Sequence, residues 1–433
     1  MIPQRINLIG YSTLAVIICY IDRVNISVAI IPMQEQFGWS DSQVGFIFSS
    51  FYLGYMLTMA LGGYLSDKFG GKRVLGWGVV LWSIFTILTP LAAHNGFFAL
   101  FFIRVLMGIG EGVTFPAWHS LYARWIPFNE RTRAIAFTNS GISIGTIIGY
   151  IGTQMIIIAM GWEWAFYIFG VVGLVWFIFW YRNVTSYPSD HQRITAEELA
   201  YIQENAPSSE PAKKIPLREL LVNKPFLAIV AATFANNWSL FVFLSFLPKF
   251  IDNELGIELE SSTFVILIII PSVISVIALN AGGYLADSLI KGGMRVIKVR
   301  KILNSIGFFG SAICLFMIPF FESIMIIIVL ICITNLFTGA AAGGFGVNHA
   351  DIGPSTTGTL VGIASTFGMI AGVVGNAVSG YVLDITNSWT LVFHIAASLI
   401  VVGGLIYLFF ASDQKQFCLL YTSDAADEEA GGG

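Results

Sequence analysis

Twelve stretches of this sequence stay apolar for about twenty residues at a time, each closed off by a shorter polar segment. That is the length at which a helix rising ~1.5 Å per residue crosses a hydrocarbon layer of ~30 Å. Backbone amides and carbonyls find no water inside lipid, so runs of this kind are expected to satisfy themselves as helices. The runs are Ile6–Ile31, Val44–Leu65, Val74–Ala92, Phe97–Ala117, Arg133–Ile158, Trp164–Trp180, Phe226–Phe250, Thr263–Leu285, Ile302–Phe320, Ile324–Val347, Gly358–Leu383 and Leu391–Phe410. Composition excludes the soluble alternative. Of the 433 residues 56% are hydrophobic and 11% charged, against roughly a quarter charged in an ordinary soluble domain, too little to cover a water-facing surface. The expected fold is an all-α membrane protein with twelve spanning helices.

The charges orient those helices. Nineteen of the 22 Lys and Arg residues fall at the termini or in the even-numbered connections, which share one side. Lys249 alone lies on the other side, and Arg23 and Arg104 fall inside helices. The positive-inside rule places both termini in the cytoplasm. An internal repeat divides the chain: LGGYLSDKFGGKRV at Leu61–Val74 returns as AGGYLADSLIKGGMRV at Ala281–Val296, each copy after the second helix of its half. We expect six-helix halves at 1–182 and 225–411, joined by a cytoplasmic linker at 183–224. Pro188, Pro207, Pro211 and Pro216 break the linker, while Thr195 and Glu198 form a capping-box pattern that predicts a surface helix over Ala196–Asn205. The linker carries no recognisable chemistry. Residues 412–433 form a tail, of which CLLYTSDAADEEAGGG at 418–433 reads as translated adapter sequence. Without its four carboxylates the net charge of −4 becomes zero, so acidity says nothing about partners. The first run lacks a small-residue cleavage site, and the amino terminus shows no Arg- and Ser-rich presequence.

Four charges fall where lipid should be. Asp22 and Arg23 sit inside the first run; Arg104 and Glu111 sit in the fourth, seven residues and nearly two turns apart on one face. Each costs ~2.5–3.5 kcal/mol to insert unless it pairs or faces water. One reading is a pair of ion bridges locking the two helices. The other is a watered cavity in which Arg23 and Arg104 hold an anion while Asp22 and Glu111 exchange a proton. Arginine suits the first task because its planar fork meets a carboxylate or phosphate bidentately and stays charged. A carboxylate suits the second, since desolvation favours its protonated form and a nearby cation its ionised form; an arriving anion shifts the balance.

Weaker signals surround these. Tyr52, Tyr55, Trp238 and Phe241 are candidates for an aromatic wall, and Asn139, Asn237, Asn335 and Asn376 either line the cavity or bridge helices. Tyr55, Asn237 and Trp238 join the arginines as substrate-binding candidates. Asp67 and Arg73 in the first repeat, Asp287 in the second, and Asn348, His349 and Asp351 below the tenth run are candidates for a cytoplasmic gate. Glycines at Gly141, Gly145, Gly149 and Gly152, and at Gly362, Gly368, Gly372 and Gly375, smooth one face of the fifth and eleventh helices for close packing or rocking. Cys19, Cys314 and Cys332 stand singly in apolar runs and read as inert thiols; no metal site, cofactor motif or hydrolase nucleophile pair is indicated.

Four stretches carry a resemblance: YIDRVNISVA at Tyr20–Ala29, RVLMGIGEGVTFPA at Arg104–Ala117, VRKILNSIGFFGSA at Val299–Ala312 and NHADIGPSTTGTLVGIASTFGMIAG at Asn348–Gly372. In these the chain resembles the anion:cation symporter family of the major facilitator superfamily. That group includes sialin, vesicular glutamate transporters, plant anion transporters and bacterial galactonate and hexuronate transporters. The resemblance implies the major facilitator fold, anion binding by Arg23 and Arg104, and protonation at Asp22 and Glu111. Met107 stands where sialin-like members have a second glutamate, and Asn236 where vesicular glutamate transporters have an arginine, so specificity for sialic acid or glutamate does not carry over.

The function expected is secondary active transport of a small organic anion such as a sugar acid, by proton-coupled symport and alternating access. Sodium-coupled phosphate or organic-anion transport is the alternative, and a non-transporting anion receptor a more distant one. No enzyme activity is expected. The partners would be the anion, H+ or Na+ and the bilayer, not nucleic acid, with the chain a monomer. The membrane expected is the cell's inner (plasma) membrane, an organellar membrane being the alternative.

Overall fold

A computed structural model describes residues 3–205 and 217–417. Pro207, Pro211, Pro216, Lys213, Lys214 and the adapter-like stretch from Cys418 lie outside the described residues. Among those residues the chain forms α1 (Gln4–Phe37), α2 (Asp41–Phe69), α3 (Gly71–His94), α4 (Phe97–Trp125), α5 (Phe128–Met160), α6 (Trp162–Asn183), α7 (Lys224–Asn253), α8 (Ser262–Lys291), α9 (Val296–Phe320), α10 (Ile324–Ile352), α11 (Thr357–Thr386) and α12 (Trp389–Phe410). Eleven are straight enough to count singly as spans, and α2 makes the twelfth with a 48° bend between Met59 and Leu61. Side chains such as Phe98, Phe102, Ile313 and Met325 point outward and are exposed, as a lipid-facing surface requires.

Most helices overrun the apolar runs that announce them, because polar residues extend a helix once its end is capped. α1 continues through Pro32 to a left-handed Gly38 (φ 64°), and α2 opens on a reciprocal capping box between Ser40 and Gln43. Lys224, expected in the linker, is the first residue of α7, capped by the Asn223 side chain. α4 and α10 are interrupted, at Gly112–Val113 and Gly343–Gly344. These glycines let a neighbour come close: a Cβ at Gly112 would lie 2.6 Å from the Tyr55 carbonyl of α2.

The packing repeats with a period of six helices. α1 packs on α5 and α6 as α7 packs on α11 and α12; α2 and α3 pack on α4 as α8 and α9 pack on α10; α3 meets α6 as α9 meets α12. The two sets meet along α2–α11, α5–α8 and α1–α7. Every polar bond between them among the described residues lies toward the base-poor end. Lys249 pairs with Asp41 and donates to Gln34 at 2.6 Å; Ser42 donates to Asp384 at 2.6 Å and Ser49 to the Val373 carbonyl at 2.6 Å. Tyr150 donates to the Leu244 carbonyl at 2.8 Å, and Gln154 to the Leu259 carbonyl. The molecule is thus latched at the end opposite its basic loops.

The linker differs from its reading. A helix runs over Ala196–Glu204 with Thr195 as its cap, but the Glu198 carboxylate does not return to that cap. It accepts from the backbone amides of Gln4 (2.9 Å) and Arg5 (3.0 Å), capping α1, and pairs with the Arg5 side chain at 3.2 Å. Glu130 of α5 holds the other edge of that guanidinium at 2.9 Å. The linker is therefore fastened across the base-rich ends of α1 and α5.

Candidate functional site

Asp22 and Arg23 are consecutive on α1, about 100° apart around the helix, so they address different neighbours. Asp22 faces α3, where Trp82 Nε1 donates to its Oδ2 at 3.0 Å. Arg23 faces α4, where its Nη2 pairs with Glu111 Oε2 at 3.0 Å. Both carboxylates are fully buried, and each keeps one oxygen, Asp22 Oδ1 and Glu111 Oε1, without a partner. Glu111 thus carries an arginine bridge on one oxygen and no partner on the other.

Arg104 is the contrast. It is 1% exposed, yet among the described residues no carboxylate lies at ion-pair distance from it. Its Nη1 rests 3.0 Å from the Met107 sulfur, a weak acceptor, and its Nε has no partner. The Phe51 ring lies 5.1 Å from both guanidinium carbons, Arg23 Cζ and Arg104 Cζ, and Tyr20 and Tyr55 stand 4.5 and 4.8 Å from Arg23 Cζ. Aromatic faces soften the burial of two cations but supply no counter-charge. Of the two ion bridges weighed from sequence one forms, Arg23–Glu111, and Arg104 is left over.

A cavity of about 320 Å³ adjoins this cluster between α1, α5, α7, α8 and α10. Tyr20 forms part of its wall, with the Arg23 guanidinium on the ring, while Ser143, Thr146, Ser272, Ser275, Thr334 and Asn335 supply polar groups. Tyr52 and Phe241, 4.6 Å apart, bridge α2 to α7 beside Gly372 of α11. Asn237 and Trp238 are placed differently from Tyr55: they face α11, against Gly368 and Gly375.

The gate candidates separate as well. Asp67 is held by Arg124 (3.8 Å) and Ser120 (3.2 Å) of α4, whereas Arg73 and Asp287 are exposed and make no ion pair among the described residues. Asp351 and Asn348 belong to a closed network. Arg300 grips Asp351 at 2.8 and 3.3 Å and donates to the Gly343 carbonyl at the break in α10; Tyr407 donates to Asn348 Oδ1 at 3.0 Å. His349, buried beside them, has neither ring nitrogen bonded.

Three members of the cluster escape a reading of charge alone. Cys19, taken for an inert thiol, donates to Glu111 Oε2 at 3.1 Å; it lies one turn before Arg23, a spacing that puts both on one face. Trp82 and Phe51 carry no signal beyond being aromatic in a chain rich in aromatics.

The Major Facilitator Superfamily profile matches residues 12–376. Among relatives, "Probable anion transporter 4, chloroplastic" of Oryza sativa subsp. japonica is 38% identical over 413 residues, 95% of this chain and 69% of the relative. "Ascorbate transporter, chloroplastic" and "Sodium-dependent phosphate transport protein 1, chloroplastic", both of Arabidopsis thaliana, are each 38% identical over 413 residues, 95% of this chain and 76% and 80% of theirs. In fold the chain is similar to a bacterial homologue of the human lysosomal transporter Spinster (TM-score 0.77, 16% identity, 94% of this chain and 97% of that one). A D-xylose–proton symporter also superposes (TM-score 0.73, 19% identity, 95% and 99%).

Proposed function

The chain belongs to the Major Facilitator Superfamily, and we propose that it moves a small organic anion, a sugar acid or a compound like one, by proton-coupled symport with alternating access. It is a multi-pass membrane transporter and not an enzyme. The observation that carries the anion is Arg104: a buried cation with a sulfur and a ring for company has its charge answered only when a substrate brings one. Arg23 is the second contact, and Glu111 the proton site, because an anion drawn to Arg23 competes for the guanidinium that Glu111 Oε2 now holds. Asp22, oriented by Trp82, completes the coupling pair. Hydroxyls and the Asn335 amide across the adjoining cavity suit the polyol end of a sugar acid; Tyr55, on the Arg23 guanidinium, and Asn237 and Trp238, on α7 against α11, are its further contacts in this proposal.

The division at 1–182, 183–224 and 225–411 belongs to the same proposal, the two sets rocking about the seam as a monomer in the bilayer. Asp67, Arg73, Asp287, Asn348, His349 and Asp351 then act at the base-rich edge, where both termini are cytoplasmic. Relatives named as chloroplastic favour an organellar membrane as a second placement beside the inner (plasma) membrane. A relative named as a sodium-dependent phosphate transport protein favours sodium-coupled phosphate transport as a second reading of the coupling and cargo.

A thermal-shift screen tests the binding claim, since a ligand stabilises according to its free concentration relative to its Kd. Purified protein is scanned against hexuronates, aldonates, ascorbate and inorganic phosphate. The expected result is a rise in Tm with at least one sugar acid that is absent in Arg104→Gln. A rise of equal size in that variant would remove Arg104 from the site.

A further inference from the structure

A second cavity, of about 350 Å³, lies away from the arginine cluster at the base-rich end of α2, α3 and α6. Lys68, Lys72 and Arg73 line it, with Thr185, Ser186 and one carboxylate, Asp190. Among the described residues none of the three bases is in an ion pair. The Asp67 carboxylate that could have answered them is turned to Arg124 and Ser120. The floor is the start of α3: Gly70 caps it without a side chain, and its first turn holds no acidic residue, so no carboxylate on that turn opposes an anion at the positive end of the helix. Gly70 has φ 86°, and a Cβ there would lie 2.5 Å from Ser186 Oγ, so a glycine is needed to bring this loop against the segment after α6.

The rim indicates what carries the anion. Lys72 Nζ lies 4.7 Å over the Tyr181 ring; below it Tyr181, Phe177 and Trp77 follow one another along α3 and α6 with ring separations of 5.7 and 5.5 Å. Tyr181 and Trp77 are 58% and 61% exposed on the outer surface, as aromatic side chains at a membrane interface are. A basic pocket opening onto an apolar aromatic strip fits a phosphate attached to an acyl chain better than one free in water.

We propose that this cavity binds the phosphate of an anionic phospholipid, with Lys68, Lys72, Arg73 and the α3 amides on the headgroup and the Tyr181–Phe177–Trp77 strip along the chain. The matching loop of the second repeat has two more residues before its Arg-Val, so the spacing of bases around this cavity is not repeated there.

Native mass spectrometry of the full-length protein with phosphatidylglycerol, phosphatidylcholine and glycerol 3-phosphate tests this. The expected result is retention of phosphatidylglycerol over phosphatidylcholine, weakened at least about tenfold in Lys68→Gln/Lys72→Gln/Arg73→Gln but not in the charge-matched Lys291→Gln/Arg295→Gln/Lys298→Gln. Size-exclusion profiles establish that both triple variants fold. Equal phosphatidylglycerol retention by wild type and the first triple variant, or equal loss in both variants, overturns the site. Displacement of the lipid by millimolar glycerol 3-phosphate overturns the lipid assignment in favour of a soluble phosphate.

Discussion

Arg104 and Met107 state the chemistry of the site in its smallest form. A thioether three residues along the same helix gives the guanidinium a soft neighbour and no charge, and in the proposed mechanism the substrate brings that charge. Met107→Glu should supply it internally. We expect the variant to bind a monoanionic substrate about tenfold more weakly, a loss of ~1.4 kcal/mol, with the protein itself no less stable; isothermal titration with the anion found in the thermal screen measures it, and unchanged affinity would argue that Arg104 does not meet the substrate. The four buried charges were legible in the sequence because charge within an apolar run is rare and costly. Their partners were not. Which of Asp22 and Glu111 takes Arg23 depends on the rotation of α1 against α3 and α4, and Trp82 and Phe51 look like any other apolar core residue until the helices are packed.

Glycine faces decide how close the helices come. On α5 the face is static: a Cβ at Gly145 would lie 2.9 Å from Tyr20 Cβ and 3.0 Å from Ile17 Cα of α1. Gly145→Val should therefore cost ~1–3 kcal/mol through overpacking, whereas Gly362→Ala, with nothing within 4 Å of the new carbon, should be neutral or slightly stabilising; thermal unfolding in detergent compares them, and equal losses would contradict this division. Gly372 instead lies at the seam, beneath Tyr52 of α2 and Phe241 of α7, while Gly375 packs under Trp238 within its own set. Helix positions were readable from hydropathy, and the Thr195 cap from its spacing. The interruptions at Gly112 and Gly343 were not, since a glycine in an apolar run reads alike whether it bends a helix or packs one, and neither was the use of Glu198 to cap α1, a contact between residues nearly two hundred positions apart.

At the scale of the molecule, the polar bonds that latch the two helix sets together lie, among the described residues, at one end. Lys249, the lone base of its side, reaches from α7 to Asp41 and Gln34, and the bonds of Ser42, Ser49, Tyr150 and Gln154 reinforce it. Removing one partner of a buried pair leaves the other uncompensated. Lys249→Met should thus shift the population toward opening at the base-poor end. A cysteine at Ser49, buried beneath α11, should then react about fivefold faster with an impermeant maleimide added on that side; an unchanged rate would mean that the latch contributes nothing to the balance between states. The repeat motif announced the six-helix period that the packing follows, but no sequence signal indicated which end is closed, because that is a choice between two packings of one chain and the same residues must serve both.

Coupling brings residue, helix and whole molecule together at Glu111, whose bridge to Arg23 is the element that substrate and proton would both disturb. The decisive measurement is transport in proteoliposomes by wild type and Glu111→Gln, with an inward proton gradient and sodium absent. Wild type is expected to accumulate the anion against its gradient. Glu111→Gln, which resembles the protonated form, should retain anion exchange at zero gradient while losing proton-driven accumulation; undiminished gradient-driven uptake by the variant, or wild-type uptake that requires sodium, would contradict the account.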